Sequence, residues 1–465
     1  MTTRVVSGKY VLGERDGAQV LLEDHYVYLD GSRIEAVTRD APAPGQQAIR
    51  YEHGLVMPGF VNLHAHCIRG GLFRGIPDDL EMEPFVPKLV YNIILPLTAL
   101  AAKELTADEL HAVTALGMCD LLRGGTTTLL DMWHHGQEVF FDVARELGLR
   151  TVGAPFIMSA SNSRLGPDGY PVWDFGNDGH AQLRRSIAMF KARDEGHDGL
   201  AQVAIGPHAT DTCLPELLRD CRKAADDLGC ILTTHFAQTP QEISLLKRKY
   251  GMGAAEYAHH AGLLGRNVVL AHAGCASDAE LKVLAETGTS VANCAFSFAR
   301  EGISFPYARF ARAGINTGIG TDSHGMDFIS EARVTGLLSK QHFGKASVGT
   351  ARDLVRAGTV AGADALGRPD LGRLTPGARA DLLVYDLWKP HLQPVRDPIK
   401  NLIWKGNAGD LALVMVHGEP VVRDGRHLKA DEAAIMRTAA VAARKIWTIA
   451  EERQILPTIS ALSAP

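Results

Sequence analysis

Histidine is the residue type that could do concentrated chemistry in this chain, with 19 copies among 465 residues. Two of them form a His-x-His unit, His64-Ala65-His66, directly after an apolar run. His235, His272 and Asp322 each close a later apolar run. Residues i and i+2 of a strand point to one face, so His64 and His66 can reach the same ion. Neutral imidazoles joined by a carboxylate suit a divalent cation such as Zn²⁺, Fe²⁺, Co²⁺ or Mn²⁺. Taken singly, each has an ordinary reading: a histidine at a strand end is usually structural, and Asp322 could cap a helix. Their coincidence at one end of one set of strands carries the argument.

Eight short apolar runs supply those ends: 55–64, 126–131, 150–156, 201–206, 230–235, 267–272, 289–294 and 316–322. They are rich in Val, Ile, Leu and Thr and lack strict alternation, as parallel strands buried on both faces do. Helical patterns separate them. One spans 104–125, with Thr106 as N-cap and Gly124-Gly125 as its stop. The class expected is α/β, a (β/α)₈ barrel, whose active sites lie at the C-terminal ends of the strands; an open doubly wound sheet is the weaker alternative. Both chain ends instead show turn-punctuated strand patterns, too short for independent domains. The expected division is a composite β-sandwich from 1–56 and 370–430, a barrel over 57–369, and a helical segment over 431–465.

Several motifs carry a family resemblance. MPGFVNLHAH (57–66), LRGGTTTLLDM (122–132), GPHATDTC (206–213) and GRLTPGARADLLVYDL (372–387) resemble, in order, signature elements of the amidohydrolase superfamily. The similarity points to the branch of cytosine, guanine and adenosylhomocysteine deaminases, triazine hydrolases, and hydrolases of phenylureas and thiocarbamates. It implies that His64, His66, His235 and Asp322 hold one divalent metal, zinc first. It further implies that Asp322 takes a proton from the attacking water, and that His272 orients this water or stabilises the oxyanion. The two-metal members bridge their ions with a modified lysine on the fourth strand; 201–208 contains no lysine, so a single ion is expected.

One position departs from the pattern. The ring deaminases of this branch carry His-x-x-Glu at the fifth strand, and here the stretch is His235-Phe236-Ala237-Gln238. A carboxamide is no general acid, although it can hold a carbonyl or amide by hydrogen bonds. The expected reaction is therefore hydrolysis of an acyclic amide, urea or thiocarbamate C–N bond, with Gln238 positioning the substrate. Deamination of a nucleobase- or triazine-like ring is the alternative. His208, Trp133, Phe296 and His324 are expected at the substrate pocket, with Phe73, Phe85, Phe298 and His134-His135 as further wall candidates. Asp322 or His324 is expected to supply the leaving-group proton.

Composition narrows the remaining classes. Hydrophobic residues make up 46% and charged residues 22%, with net charge −5, which is ordinary globular balance. No basic patch of nucleic-acid type appears; Lys247-Arg248-Lys249 reads as a solvated helix face. No apolar run is long enough to span a membrane, and the N-terminal stretch lacks the apolar core of a signal peptide. Seven scattered cysteines without a CxxC pair fit a reducing, cytoplasmic setting. No HExxH, GxSxG or P-loop competes. The expected partner is a small-molecule substrate, and the resemblance implies a homo-oligomer, a dimer or dimer-based assembly.

Overall fold

The structure, a computed structural model, describes residues 4–46, 48–75, 90, 93–133, 138–165 and 171–456. Eight parallel strand positions follow one another: β1 (Phe60–Ala65), β2 (Thr126–Trp133), β3 (Arg150–Ile157), β4 (Ala201–Val203 with Gly206–Pro207), β5 (Leu232–Phe236), β6 (Val268–His272), β7 (Ser290–Asn293) and β8 (Thr317–Ile319). The ladders join β1 through β4 and, separately, β5 through β8. Parallel bridges Ile205↔Leu232 and Ala209↔His235 link β4 to β5, and Ala65↔Asp322 links β8 back to β1. The ring is therefore closed, and the expected (β/α)₈ barrel is the observed fold. Its lumen is filled by Val61, Leu63, Leu130, Met132, Val152, Phe156 and Val269, a packed core of branched and long side chains.

The chain ends meet in one nine-stranded sheet. Strand Leu382–Asp386, from the C-terminal part, lies antiparallel against Ala48–Pro58, from the N-terminal part. The first apolar run, expected as one strand, is divided between this sheet and the barrel. Ala48–Pro58 ends in the sheet, and β1 begins at Phe60. Gly59 makes the transition because a Cβ there would sit 2.0 Å from Thr127 Oγ1. Its N–H donates to the Asp381 carbonyl at 2.9 Å. A hairpin pairing Asn162–Leu165 with Pro171–Asp174, absent from the sequence reading, follows β3.

The helices obey their expected signals. Ala107–Arg123 opens on a capping box between Thr106 and Glu109 and stops at Gly124, followed by left-handed Gly125 (φ 93°). The last helix, Glu432–Glu452, is capped by Asp431. It packs on the helix after β1, where Trp447 Nε1 donates to the Leu72 carbonyl at 2.7 Å. Among the described residues, no helix is long and apolar enough to cross a membrane.

Candidate metal centre and cleft

The bonds that close the barrel run through the candidate ligands themselves. Asp322 N–H donates to the His64 carbonyl at 2.9 Å, and His235 N–H to the His208 carbonyl at 3.0 Å. Gly320 lets the β8 end approach, since a Cβ there would meet His64 Cβ at 2.8 Å and Cys294 Sγ at 2.9 Å. Four non-glycine residues around the site hold left-handed backbone: Ala237 (φ 45°), His272 (φ 79°), Ala273 (φ 54°) and Asp322 (φ 55°). Such conformations cost of order 1 kcal/mol or more each and persist where surrounding structure over-determines them.

Two triads, His64-His66-His235 and His64-His272-Asp322, each keep their ligand atoms within 4.8 Å of one another. All five expected residues thus converge around His64. His66 Nδ1 faces the Met132 carbonyl at 2.7 Å and His235 Nδ1 the His208 carbonyl at 2.6 Å. A carbonyl only accepts, so each Nδ1 carries the hydrogen and each Nε2 presents a lone pair. Those two Nε2 atoms face each other at 3.3 Å, and His66 Nε2 lies 3.7 Å from Asp322 Oδ1. Lone pairs so placed repel unless a cation lies between them. Both ring nitrogens of His64 and Nδ1 of His272 are buried without a hydrogen-bond partner. These orphaned ring nitrogens, of which each neutral imidazole offers one as a lone-pair donor to a metal, fit a divalent ion held by His64, His66, His235 and Asp322.

Electrostatics agrees with that role. Burial and the neighbouring rings hold His64 and His66 well below the usual histidine range, and burial lowers His235 to about 3 and His272 to about 4. Neutral imidazoles are the metal-binding form. Burial opposes ionisation of Asp322, but the facing His272, His64, His324 and His235 outweigh it and hold the carboxyl well below the usual range. Ser323 Oγ donates to its Oδ1 at 3.0 Å.

The cleft above is small, about 30 Å³, and its walls include His208, Gln238, Phe298 and His324. His208 is oriented through Nδ1 by Thr212 Oγ1 at 2.9 Å. Gln238 is placed by Glu242, whose carboxylate accepts the N–H of Ala237 and of Gln238, each at 2.9 Å. Its side-chain Nε2 is a buried donor without a partner. His324 lies 6.3 Å from the Phe73 ring.

Two expected wall residues sit elsewhere. Trp133 stacks on Phe140 at 4.2 Å within the core, because the C-terminal part of β2 turns this side chain outward onto the following helix. Phe296 packs beside Gly325, and Phe298, two residues on, takes the cleft position with its ring 4.8 Å from His272. Phe85, His134 and His135 lie outside the described residues.

Sequence reasoning missed Arg69, Ser297 and Glu301, which also line the cleft. Arg69 is buried, its guanidinium 5.5 Å from the Phe156 ring, and its Nη2 has no partner. Its spacing from His66 was the available signal: one helical turn after a strand end returns a side chain over that end. Glu301 lies on an irregular turn and carries no periodic signal.

A His-His-His-Asp cluster at the C-terminal rim of a closed parallel barrel defines a metal-dependent hydrolase. Residues 55–421 match the amidohydrolase family, and the chain belongs to it. It is an enzyme acting on carbon–nitrogen bonds other than peptide bonds. The chain is 30% identical over 401 residues to a 5'-deoxyadenosine deaminase of Methanopyrus kandleri, covering 85% of this chain and 87% of the relative. It is similar to the zinc-bound structure of an adenosine deaminase from Xanthomonas campestris, with 26% identity, TM-score 0.84, and 96% and 98% of the two chains covered. A mutant atrazine chlorohydrolase of Arthrobacter aurescens TC1, complexed with zinc and atraton, matches at 25% identity and TM-score 0.84 over 95% and 100%.

Proposed function

We propose that the chain is a metal-dependent aminohydrolase that replaces an amino group on a nitrogen heteroaromatic ring, adenine- or triazine-like, with oxygen. The observation that carries this reading is full-length similarity to nucleoside deaminases, exemplified by 30% identity over 85% of the chain. It moves the preference from the acyclic substrate expected at first to the ring substrate held as its alternative.

His64, His66, His235 and Asp322 would hold the ion, with zinc favoured by the zinc-bound structural relatives. A divalent ion there supplies a Lewis acid and an acidified water. The carboxylate of Asp322 accepts the water's proton, for which its ionised state prepares it. His272, neutral and on the same rim, orients the water and steadies the developing oxyanion. His208, Gln238 and His324 contact the substrate from the cleft walls.

A second reading, hydrolysis of an acyclic urea, thiocarbamate or amide, is favoured by one observation. Gln238 stands where the ring deaminases carry an acid, and its buried Nε2 is an unpaired donor suited to a carbonyl. A substrate panel on zinc-loaded protein separates the two. Ammonia released from adenosine-type nucleosides or aminotriazines, without turnover of anilides or phenylureas, supports the ring reading. The reverse pattern overturns it in favour of the second.

The reading also keeps the expected division into a composite β-sandwich unit from both chain ends, a barrel and a C-terminal helical segment, with the first boundary moved from 56/57 to Gly59, where the sheet strand ends and β1 begins. It places a homo-oligomer, dimer or dimer-based, in the cytoplasm. Seven free cysteines, five of them buried, support a reducing setting.

A further inference from the structure

We propose that Glu301 is the carboxylic acid that protonates the ring nitrogen beside the carbon under attack, the task that the carboxamide of Gln238 is unable to perform. The proposal rests on the ring-deamination reading for its substrate and on the cleft for its location.

Among the described residues, Asp322 and Glu301 are the carboxyl groups that line the cleft. The other buried acids nearby are engaged elsewhere. Asp131 accepts the Cys67 N–H at 2.7 Å, and Asp211 accepts Trp173 Nε1–H at 3.2 Å. Glu242 holds the Ala237 and Gln238 amides, and Glu331 Oε1 accepts the N–H of Ala295 at 2.6 Å and of Phe296 at 3.1 Å. Asp322 is committed to the water, so one carboxyl remains.

Its turn is firmly built. Glu331 fixes the start of the short helix Ala295–Ala299. Phe298 wedges between His272 at 4.8 Å and Phe305 at 4.4 Å, and Glu301 N–H donates back to the Phe298 carbonyl at 3.0 Å. The same turn thus sets an aromatic wall and, three residues later, a half-buried carboxyl at the cleft. The charged and titratable groups sharing that space are Arg300 on its own turn, Asp322 and His324 after β8, His272 after β6, and Arg69, His66, His208 and His235 across the cleft. Burial, with the negative charge of Asp322, pushes the Glu301 carboxyl up from its ordinary range, the direction a proton donor needs.

The protons balance as follows. The water oxygen bonds to the amino-bearing carbon while Asp322 takes one proton. The C=N π pair moves onto the ring nitrogen, which takes the proton of Glu301. The bond to the amino group then breaks, its electron pair leaves with nitrogen, and Asp322 returns its proton to give ammonia. The new hydroxyl gives its proton back to Glu301 as C=O forms. No other reactant is consumed.

The test pairs Glu301→Gln with a relocated acid. With the nucleoside that wild type deaminates, Glu301→Gln should lower kcat about 100-fold or more at unchanged metal content and with KM within threefold. It should also abolish the alkaline limb of the kcat–pH profile. Adding Gln238→Glu to that variant should recover at least tenfold. Retained kcat within threefold overturns the proposal, as does a loss with an unchanged pH profile and no recovery. If wild type releases no ammonia from any ring amine, the ring reading fails and the proposal falls with it; ammonia release by wild type with retained kcat in Glu301→Gln overturns the proposal alone.

Discussion

Two buried polar clusters sit at opposite ends of the barrel strands, and they are finished differently. At the N-terminal end, Arg150 opens β3 and meets Asp381 of the chain-end sheet, with Nε to Oδ2 at 2.7 Å and Nη2 to Oδ1 at 3.2 Å. Arg150 Nη1 also donates to the Gly199 carbonyl at 2.6 Å, and the His417 N–H donates to Asp381 Oδ1 at 2.6 Å. Both side chains are buried and every polar arm of the pair has a partner within the protein. At the C-terminal end, both His64 nitrogens, His272 Nδ1, Gln238 Nε2 and Arg69 Nη2 are buried and unpartnered. A buried charge that is fully hydrogen-bonded is architecture; a buried set of ring nitrogens and N–H donors that lack partners is matched to something the chain does not contain.

The largest expected effect follows from that contrast. His64→Ala removes the residue common to both ligand triads. Bound metal measured by mass spectrometry should fall from about one ion per chain to near zero, and kcat/KM should drop by about 1000-fold or more. The metal-free variant should differ from metal-free wild type only by the packing of one buried ring, because the His64 ring makes no hydrogen bond there. A variant that keeps its ion would break the comparison at its active end.

Asp381→Ala should do the opposite. Leaving Arg150 buried without its partner costs about 3–5 kcal/mol. Denaturant unfolding should show this loss, while folded protein retains its full metal content. Metal loss in step with stability would mean that the two ends are coupled and that the contrast is false.

How much of this was legible in the sequence depends on separation along the chain. His64, His66, His235, His272 and Asp322 could be read because each ends an apolar run, and a parallel barrel brings all such ends to one rim. The composite sheet was legible as two strand-rich ends that each lacked a core. The Arg150–Asp381 clamp was not, since 231 positions separate its members and neither stands in a distinctive pattern. Trp133 misled because an aromatic residue at a strand end can face the lumen rim or the surrounding helices, and packing on Phe140 decided the matter. The transition at Gly59 was hidden because the apolar run continues through it; the close approach of Thr127 is a tertiary fact. Glu301 escaped for a related reason, being placed by the anchoring of a non-periodic turn.

Chelation gives a reversible version of the first experiment. Removing the ion should lower the melting midpoint, and adding zinc should restore it. Ligand linkage sets the scale at about 2.7 kcal/mol when free metal is 100-fold above its Kd. Asp381→Ala should show the same metal-dependent increment as wild type, superimposed on its lower baseline.

Glu331 shows a smaller, pH-dependent effect on the active side. Burial pushes this carboxyl from its ordinary 4.5 up to about 8 while it supports Ala295 and Phe296. A raised folded-state value stabilises the fold fully below about pH 4.5, and that contribution fades as pH rises through about 8. Glu331→Gln keeps an acceptor for both amides and cannot ionise. Relative to it, wild type should therefore lose stability between pH 5 and pH 8, by a few kcal/mol at most. Urea unfolding at the two pH values checks the sign, and an equal difference at both would refute the burial of a neutral acid.

The smallest expected change lies away from both clusters and calibrates them. Thr106 caps the helix Ala107–Arg123 in a reciprocal box with Glu109, its Oγ1 accepting the Glu109 N–H at 3.3 Å while Glu109 Oε2 accepts the Thr106 N–H at 2.8 Å. Thr106→Ala removes one acceptor at a solvent-facing helix end, where water can replace it, so the loss should be about 1 kcal/mol. Metal content and kcat should stay at wild-type values, since Thr106 lies at the exposed start of this helix and touches none of the site residues. If that small loss also lowered metal occupancy, marginal stability alone would account for metal loss in other variants. The His64→Ala result would then lose its force as evidence for a ligand.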